Sequence, residues 1–125
     1  MPAFDLETTY LGLDGVGGVT AMAGGAAFWA SVGENPGAGG TIVTVGTGEG
    51  DWTRWEMHPK GDEVLVVLEG SVRMILDRNG AEHAFDLTPG STLVVPTGVW
   101  HRAVDQKALR MLFITYGAGT EHRLL

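Results

Sequence analysis

Apolar and polar residues alternate in short runs along the last two thirds of the chain. Gly, Pro or Asn separates the runs at short intervals, which is typical of a protein built from many short strands. The pattern predicts an all-β sandwich or barrel with strands near residues 41–45, 52–58, 63–68, 71–76, 82–87, 92–95, 99–104 and 109–116. Asn79-Gly80 lies between two runs and predicts a type I′ hairpin, because both central residues of that turn need a positive φ.

The first 40 residues differ, because repeated Gly pairs and the sequence Asn35-Pro36-Gly37 interrupt any helical period. We expect short strands and loops in this region, and residues 26–32 are the best strand candidate. A helix, if present, should be short and peripheral. None longer than two turns should occur between Trp52 and Val104.

Residues 64–68 are apolar on both faces of the predicted strand. Val64, Val66 and Leu68 share one face, whereas Leu65 and Val67 share the other. A strand with two apolar faces is buried on both sides. The run therefore predicts a second layer of structure or a partner subunit.

The chain of 125 residues has the common size of one domain, and no linker divides it, so we expect a single domain over residues 1–125. A net charge of −7 disfavours binding to nucleic acid and to anionic membranes. No Lys or Arg precedes Arg54, which excludes the basic start of a secretory signal and makes the cytoplasm the expected location. Since the chain has no cysteine, any metal must be bound by His, Asp or Glu.

Acidic and imidazole side chains cluster near the middle of the strand pattern. Glu56 and His58 are two residues apart and project from one face of a strand, so they can converge on one ion. Glu63 follows the turn at residues 59–62, and an antiparallel return would bring it beside them. Imidazole and carboxylate ligands suit Fe²⁺, Mn²⁺, Ni²⁺ or Zn²⁺. His83 and His122 stand apart from this cluster and are expected to be surface residues or satisfied polar groups of the core.

The spacing of this region resembles the two-part signature of the cupin family, carried here by Gly50, Glu56, His58, Glu63, Gly70, Gly90, Pro96, Gly98, His101 and Asp105. The resemblance implies an all-β double-stranded β-helix, or jelly-roll barrel, which commonly forms a homodimer. It also implies a divalent metal site made of Glu56, His58, Glu63 and His101. Glu56 departs from the pattern, because most cupins have the first histidine of His-x-His there, and Asp105 replaces a frequent asparagine.

Glu56 therefore has two candidate roles. As a fourth ligand, it would make a site of two carboxylates and a divalent ion electrically neutral. Alternatively, His58, Glu63 and His101 form the arrangement of two histidines and one carboxylate that leaves open positions on non-haem iron. Glu56 would then be free to act as a general base, and thus as a catalytic residue.

A substrate pocket is expected beside the metal. Arg54 shares the strand parity of Glu56, and its guanidinium could bind the carboxylate or phosphate of a small anionic ligand. A structural ion pair with a nearby acid is the alternative. Leu65 and Val67 follow Glu63 on the same side, and Met111 and Phe113 of the last strand should complete an apolar wall.

These features favour a metal-dependent enzyme for a small organic substrate. The resemblance to cupins implies dioxygenase, isomerase, lyase or decarboxylase chemistry without choosing among them. The alternative is a non-catalytic cupin that binds or senses a small molecule, with or without a metal. A metal with open coordination positions would favour catalysis.

Overall fold

The computed structural model describes residues 2–125, which form nine strands and one short helix with two 3-10 turns. The strands and the helix, in chain order, are β1 (Thr9–Leu13), β2 (Val19–Ala23), α1 (Ala26–Ala30), β3 (Thr41–Gly50), β4 (Arg54–Met57), β5 (Glu63–Arg78), β6 (Ala81–Leu87), β7 (Thr92–Val95), β8 (Trp100–Tyr116) and β9 (Glu121–Leu124). Each observed strand pair is antiparallel. The all-β prediction is confirmed, and the fold is a jelly roll.

Long strands β5 and β8 form the centre of the fold. One continuous path of neighbours runs β2-β1-β3-β8-β4-β9, and β5 joins it by pairing with β8 while also binding β6 and β7. The inner face of this curved sheet carries the main core, composed of Leu65, Val67, Val72, Met74, Leu76, Leu87, Val95, Ala103, Leu109 and Met111. The metal-ligand candidates project from strands that enclose this core.

Four predicted runs merge into these two strands. The runs at 63–68 and 71–76 are parts of β5, and those at 99–104 and 109–116 are parts of β8. The pairing of β5 with β8 continues through register shifts around residues 67–73. Gly70 lies at a shift with φ 74°, where a Cβ atom would come within 2.3 Å of the carbonyl oxygens of Lys107 and Ala108. The glycine thus marks a bulge with close backbone approach, and not the turn between two strands.

The hairpin at Asn79-Gly80 is confirmed. It joins β5 to β6, and the two residues have φ angles of 55° and 85°, as a type I′ turn requires. The Asp77 carboxylate accepts a hydrogen bond from the Gly80 backbone N–H at 2.8 Å and helps to hold the turn.

The strand expected at residues 26–32 is wrong, because helix α1 occupies Ala26–Ala30 and a 3-10 turn follows. Three of the five helical residues are alanine, which has the highest helix propensity. Phe28 buries its ring at 5.0 Å from that of Tyr10, in a second small core with Met22 and Ile42. Packing of one aromatic residue against the β1–β2 hairpin therefore decides the conformation of this segment.

No helix within residues 2–125 is long and apolar enough to span a membrane. Helix α1 is short and peripheral, as expected, and no helix occurs between Trp52 and Val104. Strand β9, which the alternation of residues did not reveal, pairs with β4 at the edge of the sheet. This strand brings additional side chains close to the predicted metal ligands.

Candidate metal site

Four side chains from three strands converge at one end of the core. Glu56 lies in β4, His58 directly follows it, Glu63 begins β5, and His101 is the second residue of β8. Cross-strand pairing places Glu56 opposite His101. Each of the four offers one nitrogen or oxygen atom within 4.8 Å of the atoms offered by the others. The structure therefore brings together all four residues that the sequence singled out.

The separations of these atoms suit a shared ion. Nε2 of His58 lies 3.3 Å from Oε2 of Glu63, and Nε2 of His101 lies 3.2 Å from Oε1 of the same carboxylate. Oε2 of Glu56 lies 3.8 Å from Nε2 of His58 and 3.5 Å from Nε2 of His101. Ligand atoms held about 2.1 Å from one ion, at angles near a right angle or the tetrahedral angle, are roughly 3.0–3.4 Å apart. The group needs only small movements to bind a metal.

Buried polar atoms without partners support this fit. Nε2 of His58, Nε2 of His101 and Oε1 of Glu63 are buried and have no aligned hydrogen-bond partner within residues 2–125. Such atoms carry a desolvation cost of about 1–3 kcal/mol each when nothing compensates them. A cation bound between them would remove this cost, so the donor set fits a divalent ion.

The Nδ1 atom of each imidazole, on the side away from the centre of the group, makes a hydrogen bond. Nδ1 of His101 lies 3.0 Å from the Val99 carbonyl oxygen, and Nδ1 of His58 lies 2.8 Å from Oγ1 of Thr120. A carbonyl oxygen only accepts, so Nδ1 of His101 carries the proton. In the neutral ring this leaves the lone pair on Nε2, which faces the centre of the group.

Loop contacts fix the relative position of the two histidine-bearing segments. The Gly98 backbone N–H donates to the His58 carbonyl oxygen at 2.8 Å. Asp62 accepts hydrogen bonds from both the backbone N–H and the hydroxyl of Thr97, each at 2.8 Å. The turn before Glu63 is thereby tied to the loop that leads into His101.

Charges within the group shift the pKa values of two members. Burial would raise the pKa of Glu63, but the close imidazoles of His101 and His58 lower it from 4.5 to about 2. Burial would lower the pKa of His101, but Glu56 and Glu63 raise it from 6.5 to about 9. Thr115 also donates a 2.5 Å hydrogen bond to Oε2 of Glu63. Without metal, a protonated His101 thus faces an ionised Glu63 at neutral pH.

These pKa values predict how the stability of the metal-free protein depends on pH. The contribution of His101 is full below pH 6.5 and is lost as the pH rises to about 9. The contribution of Glu63 is full above pH 4.5 and is lost as the pH falls to about 2. The melting temperature of chelator-treated protein should therefore decrease from pH 6.5 to 9, measured by circular dichroism. His101→Gln should lack this decrease, and an identical pH profile for both proteins would contradict the assignment.

Most of the residues expected to line a substrate pocket lie in the hydrophobic core. Leu65, Val67 and Met111 share the inner face with Glu63 and are at most 1% exposed, and Phe113 is half-buried against them. Arg54 is exposed on β4 and makes no ion pair with any of residues 2–125. These apolar side chains point toward the core, as the strand alternation predicted. Their role in binding a ligand stays a prediction.

Three polar residues near the site escaped the sequence analysis. Thr115 contacts Glu63, Thr120 contacts His58, and Nε2 of His122 lies 3.5 Å from Oε1 of Glu56. Thr115 lies on the same face of β8 as Met111 and Phe113, so strand alternation could have predicted that it faces the site. Thr120 and His122 belong to a turn and an edge strand that no pattern in the sequence indicated. The expectation that His122 is a surface residue is correct for its exposure but missed this contact.

Comparison with known proteins agrees with this description. Residues 41–115 match the family described as the cupin domain. A search of curated proteins finds no match to the sequence. Among solved structures, a cupin-2 domain containing protein from Shewanella frigidimarina is 25% identical, with a TM-score of 0.52 over 60% of this chain and 69% of its own.

Two enzymes share the fold at lower identity. Oxalate decarboxylase of Bacillus subtilis, described with Mn(II) centres, is 21% identical with a TM-score of 0.58, over 70% of this chain and 24% of its own. Hydroquinone 1,2-dioxygenase from a Sphingomonas species, with 4-hydroxybenzoate bound, is 16% identical with a TM-score of 0.51, over 61% of this chain and 60% of its own. These likenesses concern the fold.

The jelly roll and its convergent histidines and carboxylates define a small β protein with a candidate metal site at one end of its core. Since the family match covers more than half of the chain, the protein belongs to the cupin domain family. The resemblance seen in the sequence is thereby confirmed.

Proposed function

We propose that this cupin is a metal-dependent enzyme acting on a small organic substrate. Glu56, His58, Glu63 and His101 would hold a divalent ion, either Fe, Mn, Ni or Zn. The observation that carries the proposal is the convergence of three buried ligand atoms, from His58, Glu63 and His101, that have no aligned hydrogen-bond partner within residues 2–125. The ion would supply a Lewis acid for a carbonyl or carboxylate group, or redox chemistry if it is iron or manganese.

The chain's own residues have distinct tasks in this proposal. His58, Glu63 and His101 are buried and would form the rigid base of the site. The Glu56 side chain is 24% exposed, so the substrate would approach from its side. Oε2 of Glu56 faces the histidines and is proposed as a ligand, and the same carboxylate is the group best placed to accept a proton from a bound substrate. The two enzymes that share the fold show that this scaffold supports decarboxylation and dioxygenation.

Elemental analysis of untagged protein tests the metal assignment directly. We expect one divalent transition ion per chain, either as purified or after reconstitution with each of the four metals. Glu63→Gln should lose the ion, whereas His83→Ala, which alters an exposed histidine in β6, should retain it. Failure of every metal to bind stoichiometrically would refute the proposal.

A second candidate function is a non-catalytic binding or sensing module. The filled interior favours it, since Leu65, Val67 and Met111 leave little room beside the ligands. Water-proton relaxation of the Mn²⁺-loaded protein distinguishes the two functions. Rapidly exchanging water on the ion would support catalysis, whereas an ion fully coordinated by protein would favour the binding module.

Arg54 is proposed to bind the substrate's negative charge. Its guanidinium is exposed, lies two residues before Glu56 on the same side of β4, and has no acidic partner among residues 2–125 that would occupy it. We expect Arg54→Ala to weaken binding of a small dicarboxylate such as oxalate by about 10- to 150-fold, as loss of a charged hydrogen bond of about 1.5–3 kcal/mol implies. Calorimetry on metal-loaded protein measures this effect, and metal content should be unchanged. Equal oxalate binding by both proteins would assign Arg54 to structure.

A homodimer is proposed through the outer face of the sheet. Val64, Val66 and Leu68 point away from the core, and Val64 lies beside Val94 of β7 and Ile114 of β8. Leu68 is 37% exposed and Val94 is 51% exposed, so this outer face presents large apolar side chains to solvent. We expect a dimer at micromolar concentration in light scattering and a monomer for Leu68→Glu. Val16→Glu, at a loop residue that is 89% exposed, is the matched control. A wild-type monomer would contradict the proposal.

A further inference from the structure

We propose that the C-terminal segment, residues 117–124, is a positioning element that orients His58 and Glu56 toward the metal. The inference rests on the proposed metal site, but its contacts come from a different part of the chain. The segment consists of the turn Gly117–Thr120 and strand β9, and it lies outside the residues that match the family. The segment thus adds contacts beyond those of the matched cupin domain.

Thr120 determines which nitrogen of His58 carries the proton. The Thr120 hydroxyl donates its only hydrogen to the Gly117 carbonyl oxygen at 2.8 Å. Toward Nδ1 of His58, 2.8 Å away, the same oxygen can only accept. Nδ1 must therefore be the protonated nitrogen, and Nε2 of the neutral ring presents its lone pair to the centre of the site. The hydroxyl acts on the metal through the histidine and is a positioning group.

His122 acts on Glu56, the second metal-ligand candidate that this segment contacts. It pairs across β9 and β4 with Glu56, and its Nε2 lies 3.5 Å from Oε1 of that carboxylate. Oε2 of the same carboxylate faces the two buried histidines. Glu56 is the most exposed of the four residues, so its carboxylate has the most freedom to rotate away. A contact on Oε1 keeps Oε2 directed inward.

Arg123 anchors this segment from the opposite face of β9. Its guanidinium lies 5.3 Å from the ring centroid of Trp55 and 4.7 Å from that of Trp100, and it forms a 3.1 Å ion pair with Asp77. Alternation along the strand then directs His122 toward the site.

The first test reads the tautomer of His58 without any metal. Long-range ¹H–¹⁵N NMR spectra of chelator-treated protein, recorded well above the usual histidine pKa of about 6.5, should show His58 protonated at Nδ1. Thr120→Val, which lacks the acceptor oxygen, should shift the population toward protonation at Nε2, and Thr120→Ser should restore it. An unchanged tautomer in Thr120→Val would overturn the proposal for His58, even if the protein binds no metal.

The second test measures Zn²⁺ affinity by competition with a chelator. Thr120→Val and His122→Ala should each weaken binding about 10- to 100-fold, as loss of outer contacts to metal ligands typically does. Thr120→Ser and His122→Gln should recover much of the affinity, and His83→Ala should match the wild type. Wild-type affinity in His122→Ala would overturn the role of His122. Failure of the wild type to bind any of Zn²⁺, Fe²⁺, Mn²⁺ and Ni²⁺ would refute the metal site itself, and the tautomer measurement would still decide the positioning of His58.

Discussion

His101→Ala should abolish stoichiometric metal binding and also destabilise the metal-free protein. The substitution removes a fully buried ligand nitrogen that lies 3.2 Å from Glu63. It also leaves the Glu63 carboxylate, only 3% exposed, without its principal positive partner in the metal-free state. Breaking a buried charge pair in this way costs about 3–5 kcal/mol. Elemental analysis and urea unfolding of chelator-treated protein measure the two effects.

The double variant His101→Ala with Glu63→Gln separates these consequences. It lacks the unpaired charge, so it should recover part of the lost free energy of unfolding while still binding no metal. His83→Ala should match the wild type in both measurements, because it removes only an exposed imidazole. Normal metal content in His101→Ala would exclude His101 as a ligand.

Leu65→Ala should lower the free energy of unfolding by about 2–5 kcal/mol, because it opens a cavity in a filled core. Leu65 is completely buried, and it lies between β7 and β8 opposite Leu93 and Phe113. Leu124→Ala is the matched control, since the same substitution at a leucine that is 78% exposed should change stability little. Urea unfolding of both variants gives the comparison.

The size of the Leu65 effect also bears on the substrate pocket. A residue that mainly lines an open pocket has fewer neighbours to lose, so its truncation should cost less than a core substitution. A change below about 1 kcal/mol would show that Leu65 faces open space, which the packed interior does not suggest. A large loss with normal oxalate binding would assign Leu65 to the core alone.

Local patterns in the sequence were sufficient for most strands. Strand alternation is a local geometric rule, so it correctly placed Glu63, Leu65 and Val67 on one face and Met111 on the inner side of β8. The hairpin at Asn79-Gly80 was equally predictable, because its backbone angles depend on the two residues themselves. Glu56, His58, Glu63 and His101 could be named because their spacing resembles a known family signature.

Contacts between distant segments decided what the sequence pattern missed. Residues 26–32 contain residues compatible with a strand or a helix, and burial of Phe28 against Tyr10 accompanies the helix. Glycine often marks a turn, but at Gly70 the strand forms a bulge, and the pairing of β5 with β8 continues on both sides of it. In both places a tertiary contact outweighed a local preference.

By itself, the sequence determined the class of fold and the parity of the strands, because each depends on residue type and short spacing, and its resemblance to the cupin signature supplied the set of ligand candidates. Only the tertiary structure decided that Thr115, Thr120 and His122 surround those ligands. Thr120 is 62 residues from His58, and the register of β9 on β4 brings His122 beside Glu56. Such contacts form when segments far apart in the sequence pair in a particular register. The periodicity of a short segment carries no information about that register.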